Sequence, residues 1–224
     1  MQTIEVVTSP APVPLSAVST PSSFQSPLIP IDTPAGKQLL DEVATVDHGP
    51  LQRWFERQEK LTFCSVASSC IAMNALLGYD ALDQDKFFNK PTIAAIRKQS
   101  DVEVNGMTLA QLGSVLLEYR VAVVMRHVED ETLEEFRKYA ITNLRRPNDF
   151  IVVNYRREVL GQNRGGHFSP LAAWHEASDR FLVLDTADYK YPPMWVPAAM
   201  LFAAMADVDQ SSGRSRGYLA VSLS

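Results

Sequence analysis

Apolar positions along the chain change their period part-way through. Between residues 64 and 78, Val66, Cys70, Met73 and Leu77 recur at helical spacing, with Thr62 placed to cap the start and Gly78 to stop the end. Thr33-Pro34 opens a helix expected over 36–46, and residues 83–100 read as short helical pieces with Pro91 starting one of them. A helix over 109–119 carries the stripe Leu109, Leu112, Leu116 and Leu117. Another, over 131–145, has acidic residues early and Arg145-Arg146 late, as the helix dipole favours, and ends at Pro147. Residues 51–62 are polar and show no period. Apart from one strand at 121–125, β-like patterning is confined to the second half: 150–155, 167–174, 180–184 and 218–223 are rich in β-branched and aromatic residues. One helix, 197–206, interrupts them after the turn Tyr191-Pro192-Pro193. Helices first and antiparallel strands afterwards predict an α+β domain of two packed lobes.

The first 35 residues stand apart. They hold seven of the fourteen prolines, many Ser and Thr, and two charged residues, Glu5 and Asp32. Such a stretch builds no periodic helix, so 1–35 is expected to be an extended or disordered arm, able to drape over the body or over a partner subunit through Leu28, Ile29 and Ile31, with the globular domain at 36–224. No Lys or Arg precedes Lys37, so the charged start of a signal peptide is missing. A cytoplasmic chain is expected, with a processed precursor as the alternative.

Charge and cysteine content narrow the classes. A net charge of −5 without a basic run argues against a nucleic-acid partner, and no apolar run approaches the roughly 20 residues of a membrane span. Cys64 and Cys70 differ by about 120° and about 9 Å along one helix, too far to bridge. Neither forms a metal-like spacing with His48, His127, His167 or His175, so no structural metal site is expected.

Three residues carry candidate chemistry. Cys64 stands in the first turn of its helix, where free amides and the positive dipole end lower a thiol pKa; read by itself it is equally a small buried hydrophobe. His167 follows Gly165 and Gly166 at the head of one strand, and Asp185 closes the next. Alone, the first is a satisfied strand-end histidine and the second a turn-capping aspartate. On neighbouring antiparallel strands they place a carboxylate against an imidazole, which orients the ring. Cys, His and Asp in that order suit cysteine acyl transfer. Gln58, six residues before Cys64, offers an amide to an oxyanion, although a surface Gln is the plainer reading. Cys70 reads as core.

The ordered motifs Gln58-x5-Cys64-Ser-Val-Ala-Ser, Val153-Asn154-Tyr155, Gly161-Gln162, Gly166-His167-Phe168-Ser169-Pro170 and Asp185-x3-Tyr-Lys-Tyr-Pro-Pro-x-Trp195-Val196 resemble phytochelatin synthase. The likeness runs from about Thr33 to the C-terminus. The short length is similar to the bacterial members, which consist of the catalytic domain alone. The family belongs to the papain-like cysteine peptidase clan, so the resemblance implies a two-lobed fold with the nucleophile helix in a helical lobe packed on an antiparallel sheet lobe. It implies Cys64 as nucleophile, His167 as general base and acid, Asp185 as orienting carboxylate and Gln58 in the oxyanion hole. The implied substrate is glutathione: Cys64 attacks its Cys–Gly bond, releases glycine and holds γ-glutamylcysteine as a thioester, which water hydrolyses or a second glutathione converts to a phytochelatin. Asn154, Arg157, Gly166, Asp209 and Arg216 fall where the family contacts the acyl group, with Asp209 suited to its ammonium and Arg216 to its carboxylate. No tightly bound cofactor is implied. Heavy-metal ions such as Cd2+ or Zn2+ enter as thiolate complexes of the substrate, and a homodimer is expected.

Two positions depart from the family pattern. Ser65 stands where Gly usually follows the nucleophile, and Asp188 where Arg usually follows the catalytic Asp by three residues. An anion in place of a cation weakens binding of an anionic tripeptide, which points to hydrolysis over polymerisation. Other readings are a papain-like peptidase or transferase acting on another thiol peptide or glutathione S-conjugate, and a non-catalytic thiol- or metal-binding module.

Overall fold

The computed structural model describes residues 27–44, 46–163 and 165–223, so most of the expected arm, 1–26, lies outside the described residues. A seven-stranded antiparallel sheet organises the rest, in the order β1-β6-β5-β4-β3-β9-β2. Its strands are β1 (Ile29–Pro30), β2 (Val121–His127), β3 (Asp149–Arg156), β4 (Gly166–His175), β5 (Arg180–Val183), β6 (Met194–Pro197) and β9 (Gly217–Leu223). A separate two-stranded ribbon joins β7 (Val208–Asp209) to β8 (Arg214–Ser215).

Both faces of the sheet are covered, which is why its strands read as nearly continuous apolar runs. Phe150, Val152, Leu182, Leu219 and Val221 face one core, and the alternate residues Ile151, Val153, Phe181, Tyr218 and Ala220 face the other. The first core is closed by α3 (Cys64–Leu77) and α6 (Leu109–Leu117), the second by α7 (Leu133–Leu144) and α8 (Ala198–Ala206). The expected α+β class therefore holds, with helices on both sides of the sheet.

Local signals place most boundaries. Thr108 and Thr132 each make a capping box, with Gln111 and Glu135, and start α6 and α7. Gly78 stops α3 in the left-handed region at φ +76°. Four expectations need correction. Thr62 does not cap α3; its hydroxyl donates to the Glu103 carbonyl, and Phe63 takes the cap position without a side-chain bond. Leu117 is 56% exposed, and Val115 replaces it in the core. The polar stretch before α3 contains α2 (His48–Arg53), held by a single buried apolar residue, Leu51. The tail of the expected arm is part of the body: Ile29 pairs with Trp195 of β6, and α1 (Pro34–Asp41) starts under a Thr33 cap. Two short helices, α4 (Pro91–Ile96) and α5 (Gln99–Asn105), complete the helical layer near α3.

Helix α3 is buried on all sides from Ser65 to Leu76, although its sequence shows one apolar stripe. Its serines make this tolerable. Ser68 donates to the Phe168 carbonyl of β4, and Ser69 donates to Ser65 one turn back. The first of these ties the helix that carries Cys64 to the strand that carries His167.

Candidate active site

Cys64 occupies the first position of α3, at the positive end of its dipole, and the N-cap Phe63 makes no side-chain hydrogen bond to the first-turn amides. His167 enters from β4 opposite Tyr155 of β3, and Asp185 follows β5 where the chain leaves for β6. The His167 Nε2 lies 2.8 Å from Asp185 Oδ1, with both side chains about 95% or more buried. The Ala187 amide donates to the same oxygen at 2.8 Å. The strands thus bring together the pair expected from the sequence, beside Cys64.

The charges around this pair couple strongly. Burial alone raises the Cys64 pKa, but the charge and hydrogen bond of His167, the Phe168 backbone and Arg157 outweigh it and hold the thiol below an ordinary cysteine. Burial alone lowers the His167 pKa, and Cys64 and Asp185 together carry it above an ordinary imidazole. For Asp185, burial opposes ionisation, yet His167 and Arg157 keep the carboxyl well below the usual range. The set favours a thiolate beside an imidazolium, the nucleophile required for acyl transfer.

A cavity of about 300 Å³ opens beside the thiol, lined by Cys64, Gly166, Asp209 and Arg216 among others. Arg216 donates to Asn154 Oδ1 at 3.0 Å, and its guanidinium approaches Asp209 Oδ2 to 3.8 Å. Asn154 is fully buried behind it, with Nδ2 unpartnered. One wall therefore carries a cation and a carboxylate together. Four of the five residues implied for acyl binding gather here. Arg157 does not: it grips Asp185 through both terminal nitrogens, at 2.7 and 2.8 Å, and lines a smaller cavity of about 150 Å³ together with His167. A larger cavity, about 620 Å³, lies around Glu42, Trp174 and His175, and Cys64 is not among its described lining residues.

A family model for phytochelatin synthase matches residues 20–218. The chain belongs to the phytochelatin synthase family. Similar proteins include glutathione gamma-glutamylcysteinyltransferase 2 of Arabidopsis thaliana, 29% identical over 89% of this chain and 46% of that protein. Glutathione gamma-glutamylcysteinyltransferase 1 of Lotus japonicus is 28% identical over 88% of this chain and 40% of its own length. The glutathione gamma-glutamylcysteinyltransferase of Schizosaccharomyces pombe is 27% identical over 84% and 47%. The chain spans less than half the length of these curated relatives.

The remaining expected residues are placed less simply in this phytochelatin synthase family member. Gln58 is buried near His167, but its amide donates to the carbonyls of Lys60 (2.8 Å) and Leu61 (3.0 Å), while its oxygen accepts from Thr186. It shapes the turn that leads into α3, and an oxyanion would have to win one of those two hydrogens. Ser65 is fully buried with its hydroxyl unpartnered. Asp188 is ion-paired with Arg57, so the anion that departs from the family pattern is neutralised within the chain. Among the described residues, no group of three or more His, Cys, Asp or Glu side chains is placed to hold a metal ion, and no helix is long and apolar enough to cross a membrane.

Sequence reasoning assigned no role to Tyr155, whose ring meets His167 edge-on at 5.7 Å and whose hydroxyl lies 3.2 Å from Ser169. The signal was available in the β3–β4 hairpin register, which sets Tyr155 opposite His167. Gln162, which receives Arg157 Nη1 at 2.6 Å, was marked in the sequence only by its place in the Gly161-Gln162 motif.

Proposed function

We propose that this chain is a glutathione-cleaving cysteine acyltransferase of the phytochelatin synthase type, built on a papain-like two-lobed fold. The observation that carries the reading is the cavity beside Cys64, where Arg216 and Asp209 offer a cation and an anion to the zwitterionic end of a γ-glutamyl group. Arg216 takes the α-carboxylate and Asp209 the α-ammonium, Asn154 fixes the Arg216 guanidinium, and Gly166 leaves room for the substrate backbone. The Cys–Gly carbonyl then lies at the start of α3.

The steps follow from the charges. The Cys64 thiolate attacks that carbonyl, and first-turn amides of α3 stabilise the oxyanion, with Gln58 as a second donor once it releases a loop carbonyl. His167 gives its proton to the leaving nitrogen, and glycine departs. The γ-glutamylcysteinyl thioester remains on Cys64. His167, neutral again and held by Asp185, takes a proton from water or from the thiol-bearing second glutathione's amine as either attacks. The smaller cavity lined by His167 and Arg157 measures about 150 Å³, against roughly 300–1,000 Å³ for sites that enclose drug-sized ligands. It suits glycine or water better than a second tripeptide, so hydrolysis is the favoured outcome. Cd2+ or Zn2+ takes part as a thiolate complex of the substrate, and no resident cofactor is required. Two free thiols suit a reducing cytoplasm, and a homodimer belongs to the same reading.

Incubation with glutathione, with and without Cd2+, tests this. Released glycine and γ-glutamylcysteine are expected in excess over chain-extended peptides, and Cys64→Ala abolishes both. Glycine release undiminished in Cys64→Ala sinks the mechanism.

A further inference from the structure

We propose that Arg157 is a positioning residue that acts through Asp185, supplying the cation that balances the buried Cys64–His167–Asp185 set, and is not a ligand of the acyl group. The proposal rests on the cysteine-acyltransferase reading above. Its basis is geometric. The Arg157 guanidinium meets both oxygens of Asp185, its Nη1 also reaches Gln162 Oε1, and the Tyr191 ring covers it at 5.0 Å. With only 6% of its surface exposed, it is a built-in member of the site.

Counting charges shows what this arrangement does. A thiolate, an imidazolium and a carboxylate sum to one net negative charge, which a buried site disfavours. Arg157 brings the sum to zero. Forming the thiolate then takes the site from one net positive charge to none; without Arg157 it would go from none to one negative. The same step is harder in the second case, so loss of the guanidinium raises the pKa at which the thiolate forms. Deprotonation of the imidazolium becomes harder for the same reason. Both limbs of the pH profile therefore move upward.

Other charges face the same centre. Arg156, Asp209 and Arg216 line the cavity on the thiol side, Lys190 lines the smaller one, and the Tyr155 hydroxyl comes from β3. None of them is placed by the observed contacts on the Asp185 carboxylate. Among the Lys and Arg side chains described here, Arg157 alone combines an ion pair to Asp185 with an electrostatic effect on Cys64, as the His167 imidazolium also does.

The test is the pH dependence of Cys64 alkylation by iodoacetamide, which needs no glutathione and so stands even if the substrate assignment fails. Cys70 stays silent, since burial and the neighbouring Glu56 push its thiol pKa well up. Arg157→Gln is expected to shift the acid limb upward by at least about one unit, a tenfold loss of thiolate reactivity at a pH on that limb, and to lower kcat for glycine release more than it changes KM. Arg216→Gln is the comparison: KM rises and the alkylation profile stays with the wild type. If Arg157→Gln does not fold, Arg157→Lys takes its place. Its ammonium meets one oxygen where the guanidinium meets two, so kcat falls at unchanged KM. An unshifted alkylation profile in Arg157→Gln, or raised KM at unchanged kcat in either variant, overturns the proposal.

Discussion

Arg216 lies against the Cα of Gly166 so closely that a Cβ there would stand 2.4 Å from Nη1. The same Nη1 donates to Asn154 Oδ1 at 3.0 Å, so moving it away costs that hydrogen bond. Gly166 is required by this contact, since its φ is not in the left-handed region. Gly166→Ala is expected to displace Arg216 from the cavity wall. A hydrogen bond to a charged group is worth about 1.5–3 kcal/mol, so kcat/KM for glutathione falls by about 10- to 150-fold, mainly through KM. Steady-state kinetics check this, and an unchanged KM would show that Arg216 does not hold the substrate.

The Arg57–Asp188 pair borders the smaller cavity through Gln58 and Ala187. Asp188→Asn removes the carboxylate charge and leaves the half-exposed Arg57 guanidinium available to an anionic acceptor. Exposed pairs are worth about 0.2–1 kcal/mol, so stability changes little. The ratio of chain-extended product to free γ-glutamylcysteine rises by about two- to fivefold at low salt and loses the gain at high salt. A ratio indifferent to both the substitution and the salt would remove Arg57 from acceptor binding.

The parts of this site that were legible in the sequence are those fixed by local rules. Cys64 at a helix start, and His167 and Asp185 at the ends of neighbouring strands, follow from periodicity and from antiparallel pairing. What escaped depends on contacts between distant segments. Ile29 and Pro30 form a strand only because Trp195 and Met194 present an edge to them. The Met194–Pro197 strand itself hid behind two prolines because the backbone amides it needs lie just beyond them. Arg157 was expected on the substrate because nothing in its local pattern reveals that Asp185, twenty-eight residues away, claims it. Asp188 shows the same limit: its charge was legible, and its partner Arg57 was not.

Ser65, directly after Cys64, fills its site without a hydrogen bond among the described residues. A buried hydroxyl left unpartnered costs about 1–3 kcal/mol, which a methyl of nearly the same shape avoids. Ser65→Ala is therefore expected to hold or raise the melting temperature, by up to about 4 °C, with glycine release intact. A clear drop in melting temperature would mean that the hydroxyl has a partner, such as a bound water, that stabilises the start of α3.

Asp47 contributes to the pH dependence of stability, in the same direction as Glu56, whose pKa burial raises to about 7. Both Asp47 carboxylate oxygens are buried without partners among the described residues, and burial, with a smaller effect from Asp149, raises its pKa to about 8. Asp149 is raised to about 6 by burial in the same way. The sign follows from proton counting. Between the ordinary aspartate value near 3.8 and about 8, folded Asp47 keeps a proton that the unfolded chain has released. Stability is therefore greatest below that window and falls as pH rises through it, by about 1.4 kcal/mol per pH unit for one full proton. Asp185, with its depressed pKa, works in the opposite direction but only in stronger acid, so it does not mask the trend. Urea unfolding at pH 5 and pH 8.5 should give a higher midpoint at the lower pH. Asp47→Asn keeps the shape and removes the titration, so its midpoint should vary less with pH and exceed the wild type at pH 8.5. Equal slopes for the two proteins would show that Asp47 is ionised in the fold and paired with a group that satisfies it.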